Sequence, residues 1–350
     1  MKSDPDSPNP RTSIRDIARH LGVSHATVSL ALRNNPRISE AVREKVRMAA
    51  DELGYQPDPM LQALASYRRT KGGTPVSAGL AWINAWESTT ALRGFQEFDL
   101  YWKGASTAAR KHGYSLEEFR LDKECGSNRL NQILTARGIC GILLPPQHPH
   151  PEWSDFPWER YSVVRFGRSL RTPECHVVTA DQVANTMLAF VRLRELGYTR
   201  IGFVDSRETT VKRGQMFQAG FLLAQTDVAK SERIPVLDIN HVPNSGRHVR
   251  VAKWLRQHKV DAILTGLSEL PTILTKAGIR VPDDVALAGT TILDTPISAG
   301  INQHPEEIGR VGLLMLKSLI NDGARGIPPI FRQIQVEGSW SDGDSAPPRR

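Results

Sequence analysis

The sequence predicts two kinds of fold in one chain: an N-terminal all-α domain with a helix-turn-helix pattern, then a larger two-lobed α/β domain with parallel sheets. The first 72 residues carry apolar side chains at helical spacing only. Beyond Pro75, short apolar runs rich in β-branched residues alternate with amphipathic segments, as in sheets covered by helices on both faces. A chain of 350 residues exceeds one compact core, and about 265 residues of α/β pattern suggest two lobes.

Overall composition is that of a globular protein, with 40% hydrophobic and 23% charged residues. No uncharged run reaches the roughly 20 apolar residues that span a bilayer, and residues 1–11 are polar and Pro-rich, without a signal-peptide core. We therefore expect a cytoplasmic protein with a disordered segment over 1–11. Cys125, Cys140 and Cys175 form no C-x-x-C pair, so we expect small buried side chains, no disulfide, no metal and no cofactor.

Positive charge is concentrated near the N-terminus. Residues 11–71 contain eleven Lys or Arg and six Asp or Glu, a net charge of 11 − 6 = +5. This is more than half of the net charge of +8 of the whole chain. A small basic domain attached to a nearly balanced body suggests a polyanionic partner at one end. A solvated basic face would have the same composition, so charge alone does not decide.

Three helices account for the N-terminal pattern. The first is expected over 14–21, with Ser13 as N-cap and Asp16 closing a capping box. The second is expected over 24–33 and begins at a serine N-cap. The third runs from Ser39 to a terminal glycine at 54. We place the helix-turn-helix domain at residues 12–57.

A short fourth helix and a linker follow. Asp58 as N-cap and Pro59 at the first helical position begin a helix that ends near Tyr67. Polar residues with two glycines come next, so residues 58–74 are expected to form a hinge helix and linker. A helix of this length is too short to be stable alone, so we expect it to fray in the free protein.

The two-lobed domain is expected over residues 75–340. Its apolar runs are expected to be strands: Val76 to Ile83, Ile139 to Leu144, Tyr161 to Phe166, Arg200 to Asp205, Ile234 to Ile239, Ala262 to Thr265 and Val285 to Gly289. A helix is expected from Val183 to Leu196, between Asp181 and Gly197. The polar tail, residues 341–350, is expected to be disordered and lacks the apolar heptads of a tetramerisation helix, so we expect a homodimer.

The tight turn between the first two helices predicts DNA binding, because the second helix of such a pair enters the major groove. Hydroxyl groups suit phosphate oxygens, whereas small and apolar side chains face base edges. We assign Ser24, Thr27 and Ser29 to the backbone and His25, Ala26 and Leu30 to bases. On this pattern alone, an ordinary three-helix bundle fits equally well.

A longer sequence pattern favours the DNA-binding domain over an ordinary three-helix bundle. The segment TSIRDIARHLGVSHATVSLALRNNPRISEAVREKVRMAADELGYQPD resembles the N-terminal domain of the LacI/GalR repressor family. It contains D-[IV]-A, G-V-S-x-x-T-V-S, the pair Arg43 and Val46, and L-G-Y-x-P. The resemblance continues through DQVANTMLAFVRLRELGYTRIGFV, VDAILT and AGIRVPDDVALAG.

That resemblance implies a transcriptional repressor that grips a pseudo-palindromic DNA operator as a dimer. It also implies a two-lobed, periplasmic-binding-protein-like domain whose small-molecule effector, a sugar or its derivative, sits between the lobes. Arg33, Arg37 and Tyr55 would lie on or near the DNA backbone. In the hinge, Leu64 occupies the family's minor-groove leucine position and Leu61 replaces the usual alanine.

Departures from the family pattern bear on the effector. The polar pairs that hold sugar hydroxyls in the family are replaced by Leu267-Ser268 and by Thr290-Thr291. Arg213 matches the arginine that clasps the ligand in many members. The effector-contact candidates are Trp86, Arg213, Thr291 and Gln303. Trp86 is preferred to Trp82, because a tryptophan inside a strand is more often part of the core.

Other functional classes have less support. The chain lacks G-x-S-x-G, G-x-G-x-x-G, a P-loop and H-E-x-x-H, and its ten histidines show no ligand spacing, so no catalytic residue is assigned and no enzyme is expected. A free solute-binding protein would share the two-lobed fold but would not need the helix-turn-helix segment. An architectural or activating DNA-binding protein with a vestigial cleft stays open. Effector identity, the direction of its effect and the target genes are not determined.

Overall fold

The computed structural model describes residues 12–32, 35, 37–55, 78–88, 90–122, 125–147, 151–153, 155–206 and 215–349. The chain divides into two compact units: the first is Met1–Ser77 with Ser318–Ala324, and the second is Ala78–Lys317 with Arg325–Arg350. Within the described ranges no helix is both long and apolar enough to cross a membrane. The predicted hinge and linker, and the N-terminal segment 1–11, lie outside the described residues.

The first unit consists of three helices in the predicted places. They are α1 (Ile14–Leu21), α2 (His25–Leu32) and α3 (Glu40–Glu52). Their inward faces form one small core, made of Ile17, Ala18, Val28, Ala31, Val46, Ala49 and Ala50. The turn between α1 and α2 passes through Gly22, whose φ of 65° is in the left-handed region that glycine adopts without strain.

The start of α1 has the predicted capping partners. The backbone N–H and the hydroxyl of Ser13 both donate to Asp16 Oδ2, at 2.9 and 2.6 Å. These hydrogen bonds lower the pKa of Asp16, because they stabilise its ionised form. Next to this cap, Thr12 Oγ1 donates to the carbonyl oxygen of Leu53 at 2.7 Å and joins the start of α1 to the end of α3.

The second unit contains twelve strands and seven α-helices among its described residues. The strands are β1 (Ala78–Asn84), β2 (Tyr114–Arg120), β3 (Gly141–Leu144), β4 (Ser162–Phe166), β5 (His176–Ala180), β6 (Ile201–Asp205), β7 (Leu237–Asp238), β8 (Ala262–Thr265), β9 (Ala286–Gly289), β10 (Ala299–Asn302), β11 (Gln333–Val336) and β12 (Ser339–Ser341). The helices are α4 (Gln96–Lys111), α5 (Ser127–Ala136), α6 (Gln182–Glu195), α7 (Met216–Ala224), α8 (Arg247–His258), α9 (Leu270–Lys276) and α10 (Pro305–Asn321).

Two six-stranded sheets define two lobes. The first sheet has the order β11-β5-β4-β3-β1-β2, and the second has the order β12-β10-β9-β8-β6-β7. Every described strand pair is parallel except β10 with β12. The chain passes between lobes three times, after β5, after β10 and after β11. The two-lobed arrangement with parallel sheets is therefore confirmed.

Helices α4 and α10 pack through glycines. A Cβ added to Gly104 would overlap the carbonyl oxygen of Glu306, and one added to Gly309 would overlap that of Tyr101. The two backbones can approach this closely only because neither glycine has a side chain. The contact matters for the second unit, because α10 starts where the chain re-enters the first lobe.

The predicted disorder of residues 341–350 was wrong. Ser341 ends strand β12, and Ala346 is only 3% exposed. Tyr198 Oη donates to the carbonyl oxygen of Pro347 at 2.6 Å, and Arg349 pairs with Asp261 at 2.7 Å. The tail has few apolar side chains, but its backbone groups find partners on the second lobe, and this orders it.

Candidate functional site

Helix α2 begins with a serine cap. Ser24 Oγ accepts a hydrogen bond from the backbone N–H of Thr27 at 3.0 Å, and the two hydroxyl oxygens lie 2.8 Å apart. This satisfies one of the helix N–H groups that have no partner within the helix. The N-cap position predicted for Ser24 is what the structure has. Ser24 is exposed, so its oxygen also faces solvent.

The remaining face of α2 separates into an inner and an outer side. Val28 and Ala31 are fully buried against α1 and α3. The residues assigned to DNA are exposed or half-exposed: Ser24, His25, Ala26, Thr27, Ser29 and Leu30. His25 and Ala26 are the most accessible of the base-edge candidates, because they precede the first buried turn. All six therefore lie in or just before α2, and none of them is buried.

Two of the predicted backbone contacts, Arg37 and Tyr55, also lie among the described residues of the first unit. Arg37 is exposed, with its backbone N–H bound to Asn35 Oδ1 at 3.0 Å. Tyr55 is half-buried and follows α3, where its N–H donates to the carbonyl oxygen of Ala50 at 2.8 Å. Arg33, Leu61 and Leu64 lie outside the described residues.

Cations of the first unit differ in their partners. Arg19 pairs with Asp16 at 3.2 Å and Arg47 pairs with Glu44 at 2.9 Å. Arg37, by contrast, forms no ion pair with any residue in the described part of this unit, and the same holds for Arg15 and Lys45. A cation without an internal partner is the one best able to meet a phosphate group.

In the second unit, buried amides organise the carboxyl end of β1. Gln147 Oε1 accepts from the N–H of Ala85 at 3.0 Å, and Gln147 Nε2 donates to the carbonyl oxygen of Ile83 at 2.7 Å. Asn84 Oδ1 accepts from the N–H of Trp86 at 2.9 Å. Together they hold the turn that carries Trp86 at the carboxyl edge of the sheet, where ligands bind in open α/β folds.

Trp86 belongs to an aromatic cluster, defined here as Trp86, Phe95 and Phe98. Its ring centroid lies 5.4 Å from that of Phe95 and 6.2 Å from that of Phe98. The indole Nε1 donates to the carbonyl oxygen of Pro146 at 2.9 Å, which orients the ring. Trp82, in contrast, is completely buried, so of the two tryptophans Trp86 is the one with an accessible surface.

In the second lobe, Gln303 holds the backbone of Thr290 through a hydrogen bond. It is 6% exposed, and its Nε2 donates to the carbonyl oxygen of Thr290 at 2.7 Å. Thr291 is half-buried, and its Oγ1 accepts from the N–H of Leu293 at 3.2 Å. The hydroxyl of Thr290 is buried and has no partner within the described ranges. Arg213 lies outside those ranges.

Glu118 and Ser206 are polar groups near the strand ends that were not predicted from the sequence. Asn84 Nδ2 donates to Glu118 Oε1 at 2.7 Å, and Glu118 also pairs with Arg93. Ser206 Oγ donates to Asn240 Oδ1 at 3.0 Å at the end of β6. The available signal was a polar residue directly after an apolar strand, the position that faces a ligand in parallel sheets.

Among the described residues, no group of three or more His, Cys, Asp or Glu side chains is placed to hold a metal ion. The site therefore consists of an exposed helix face in the first unit and of hydroxyl, amide and aromatic groups at strand ends in the second. Such groups can recognise and bind, through hydrogen bonds and ring contacts.

Two segments of the chain match known protein families, one in the N-terminal helical unit and one in the α/β unit. Residues 13–58 match the bacterial regulatory proteins of the lacI family, and residues 190–339 match the periplasmic binding protein-like domain. The first segment covers the three-helix unit and the second covers most of the second lobe. The chain therefore contains a lacI-family DNA-binding domain followed by a periplasmic-binding-protein-like domain.

The relatives of this chain are named as transcriptional regulators. The HTH-type transcriptional regulator CelR of Thermobifida fusca is 27% identical over 318 residues, which covers 86% of this chain and 89% of the relative. The regulator GalR of Escherichia coli K12 is 23% identical, with 79% and 78% covered. The chain is accordingly a DNA-binding transcriptional regulator with an effector-binding domain, and not an enzyme.

A solved structure with the same fold is the transcriptional regulator CelR in complex with cellobiose. It has a TM-score of 0.54 and 21% identity, and covers 96% of this chain and all of that one. The lac repressor dimer bound to operator and the anti-inducer ONPF has a TM-score of 0.51 and 17% identity, with 96% and 99% covered. At these identities the likeness concerns the fold alone.

Proposed function

We propose that this regulator is a cytoplasmic repressor that binds a pseudo-palindromic operator as a homodimer and responds to a small sugar-like effector between its lobes. The observation that carries the proposal is the outward face of α2, which presents His25 and Ala26 beside the capped end of the helix. A helix N-terminus with exposed polar groups suits the major groove and its phosphates. The lac repressor structure, a dimer on its operator, gives the arrangement a precedent.

In this proposal His25, Ala26 and Leu30 read base edges. The hydroxyls of Ser24, Thr27 and Ser29 set the register on phosphates, and Arg33, Arg37 and Tyr55 add contacts to the backbone. Because two of the three reading side chains are apolar, contact with thymine methyl groups should outweigh bidentate hydrogen bonds.

The hinge would complete the operator complex. Leu61 and Leu64 are proposed to pair across the dimer at the operator centre, with Leu64 inserted between base steps of the minor groove. The cost of bending the DNA is recovered only when both hinge helices are folded. A change in lobe arrangement would then alter operator affinity through the hinge.

The effector is proposed to contact Trp86, Arg213 and Thr291, with Gln303 acting through the Thr290 backbone. Trp86 offers a ring face of fixed orientation, and a flat apolar ring can stack on the face of a sugar. Cellobiose in the CelR complex is an example of such a ligand. An arginine would add hydrogen bonds to hydroxyl or carboxylate groups.

Selection of DNA fragments by the full-length protein, followed by footprinting, tests the DNA part. We expect one enriched motif with two related half-sites, and protection of both by a dimer. His25→Ala should lose enrichment at one position of each half-site, whereas Lys45→Ala, an exposed change on α3, should retain the motif. An enriched motif without two-fold symmetry, or no enrichment at all, would contradict the proposal.

A further inference from the structure

Helix α4 begins at Gln96 without a capping side chain of its own. The residue before it is Phe95, whose ring accepts no hydrogen bond from the helix. The first N–H groups of a helix have no partner within it and need an acceptor from outside. For this helix the acceptor comes from the other lobe.

Asp294, which follows β9 in the second lobe, supplies it. Oδ1 of Asp294 accepts from the N–H of Gln96 at 2.8 Å, and Oδ2 accepts from the N–H of Glu97 at 3.1 Å. A carboxylate is also the group that the positive end of a helix dipole favours. One side chain of the second lobe therefore joins the start of a helix in the first.

The loop around Asp294 is ordered by hydrogen bonds of its own. The N–H of Leu293 donates to Thr291 Oγ1 at 3.2 Å, and the N–H of Ile297 donates to Thr295 Oγ1 at 3.3 Å. Asp294 has a φ of 56°, a conformation that Asp tolerates better than most residues. In this arrangement the loop's own hydrogen bonds therefore support the residue whose carboxylate contacts α4.

The capped end of α4 adjoins the aromatic cluster. Phe95 directly precedes the helix and Phe98 lies in its first turn, and their ring centroids are 5.2 Å apart. Both rings contact Trp86, the first-lobe candidate for the effector. A displacement of the first turn of α4 would therefore move the wall against which an effector is proposed to bind.

We propose that Asp294 is a latch that holds the two lobes in the closed arrangement. Its hydrogen bonds exist only when the lobes approach, so they stabilise the closed state and contribute nothing to an open one. A ligand that contacts both lobes acts on the same equilibrium, so latch and ligand reinforce one another. The coupling between Asp294 and ligand binding rests on the proposed effector function. The stabilisation of the closed lobes by Asp294 does not depend on that function.

Amide hydrogen exchange of the full-length protein, without DNA or ligand, tests the latch. Two reporters lie at strand ends away from Asp294: the N–H of Ala85, bound to Gln147 in the first lobe, and the N–H of Leu267, bound to Thr265 in the second. In Asp294→Ala we expect faster exchange in the first turn of α4 and at both reporters. The increase should be about two- to thirtyfold, the factor by which losing a helix cap shifts an equilibrium.

Three further variants separate a latch from a simple cap. Asp283→Ala removes another exposed acid of the second lobe, leaves Arg280 paired with Asp284, and should change neither reporter. Asp294→Asn retains one acceptor oxygen and should have a smaller effect. Adding Phe95→Asp to Asp294→Ala gives α4 a local cap, so its first turn should regain protection while both reporters stay fast.

Exchange that rises only in the first turn of α4 would overturn the latch, since Asp294 would then merely cap the helix. Unchanged exchange everywhere would overturn it too. Because neither DNA nor ligand is present, failure here is distinct from failure of the proposed repressor function.

Discussion

Gln303 donates a hydrogen bond from Nε2 to the backbone carbonyl oxygen of Thr290 at 2.7 Å, and both side chains are buried in the second lobe. Gln303 was a candidate for direct effector contact from the sequence. In the structure its amide nitrogen connects the segment after β10 to the segment after β9. Its influence on an effector would therefore act through the position of Thr290 and Thr291.

Replacing Gln303 should destabilise the second unit. Gln303→Ala leaves the Thr290 carbonyl without its donor in a buried place, so the free energy of unfolding should fall by about 1 to 3 kcal/mol. Urea denaturation followed by tryptophan fluorescence measures the difference. Gln257→Ala, an exposed glutamine on α8, is the matched control and should change little. Equal stability of the two variants would show that the buried hydrogen bond is not important.

His25 and Arg37 should affect DNA binding in different ways. His25→Ala should relax the preference at one base pair by about 1 to 3 kcal/mol, because a base-edge contact is sequence-specific. Arg37→Ala should weaken specific and random DNA alike and reduce the salt dependence by about one phosphate contact. Titrations against operator and scrambled DNA at several salt concentrations distinguish the two. Equal losses on both DNAs for His25→Ala would remove it from the base edge.

Ser24 combines a structural and a DNA contact, and two substitutions separate them. Ser24→Ala removes the cap and should destabilise α2 by about 1 kcal/mol. Ser24→Asp keeps an acceptor for Thr27, so exchange of α2 amides should stay slow, but its negative charge should repel a phosphate and weaken operator binding. Operator binding by Ser24→Asp as tight as that of the unchanged protein would place Ser24 away from the DNA backbone.

The crossing of α4 and α10 should not accept a methyl group. Gly104→Ala would overlap the carbonyl oxygen of Glu306, a backbone atom, and should cost about 1 to 3 kcal/mol. At Gly94 an added Cβ meets nothing within 4 Å, so Gly94→Ala serves as the control. Thermal unfolding should separate the two variants, and coincident melting curves would mean that the helices move apart without cost.

Deleting residues 342–350 should destabilise the second unit. The deletion removes the acceptor of Tyr198, the buried Ala346 and the Ser345 carbonyl that accepts from Leu287 at 2.7 Å. We expect a loss of about 1 to 3 kcal/mol, or a melting temperature lower by about 2 to 10 °C. Arg349→Ala alone, which removes one exposed partner of an ion pair, should cost less than 1 kcal/mol. A deletion variant with the same melting temperature as the full chain would support the expectation from the sequence that the tail is disordered.

The central elements of the fold could be predicted because their periodicity is local. The three N-terminal helices, and β1, β3, β4, β6, β8 and β9, agree with the apolar runs to within a few residues. Helix α6 also begins as predicted, with Asp181 Oδ1 accepting from the N–H of Ala184 at 3.0 Å. Of the predicted strand Ile234 to Ile239 only Leu237–Asp238 pairs.

Three of the four edge strands were not predicted. β2 and β11 are edge strands with mostly half-exposed or exposed side chains, and β12 is a short antiparallel edge of polar residues around Trp340. Each has neighbours on one side only, so its side chains need not be apolar. β5, which is fully buried, and β10 were also missed.

Sequence by itself determined the features that depend on neighbours along the chain: the capped α2 with its exposed His25, the family, and the alternation of strands and helices. Tertiary structure decided which distant groups satisfy one another. In the folded chain Gln303 donates to the carbonyl oxygen of Thr290, and the C-terminal tail contacts Tyr198 and Asp261. The N-terminal end of α4 is capped by Asp294, which is 198 residues away from Gln96 in the sequence. Buried donors and the N–H groups at a helix N-terminus require acceptors. Local sequence patterns do not show which distant residue will provide them.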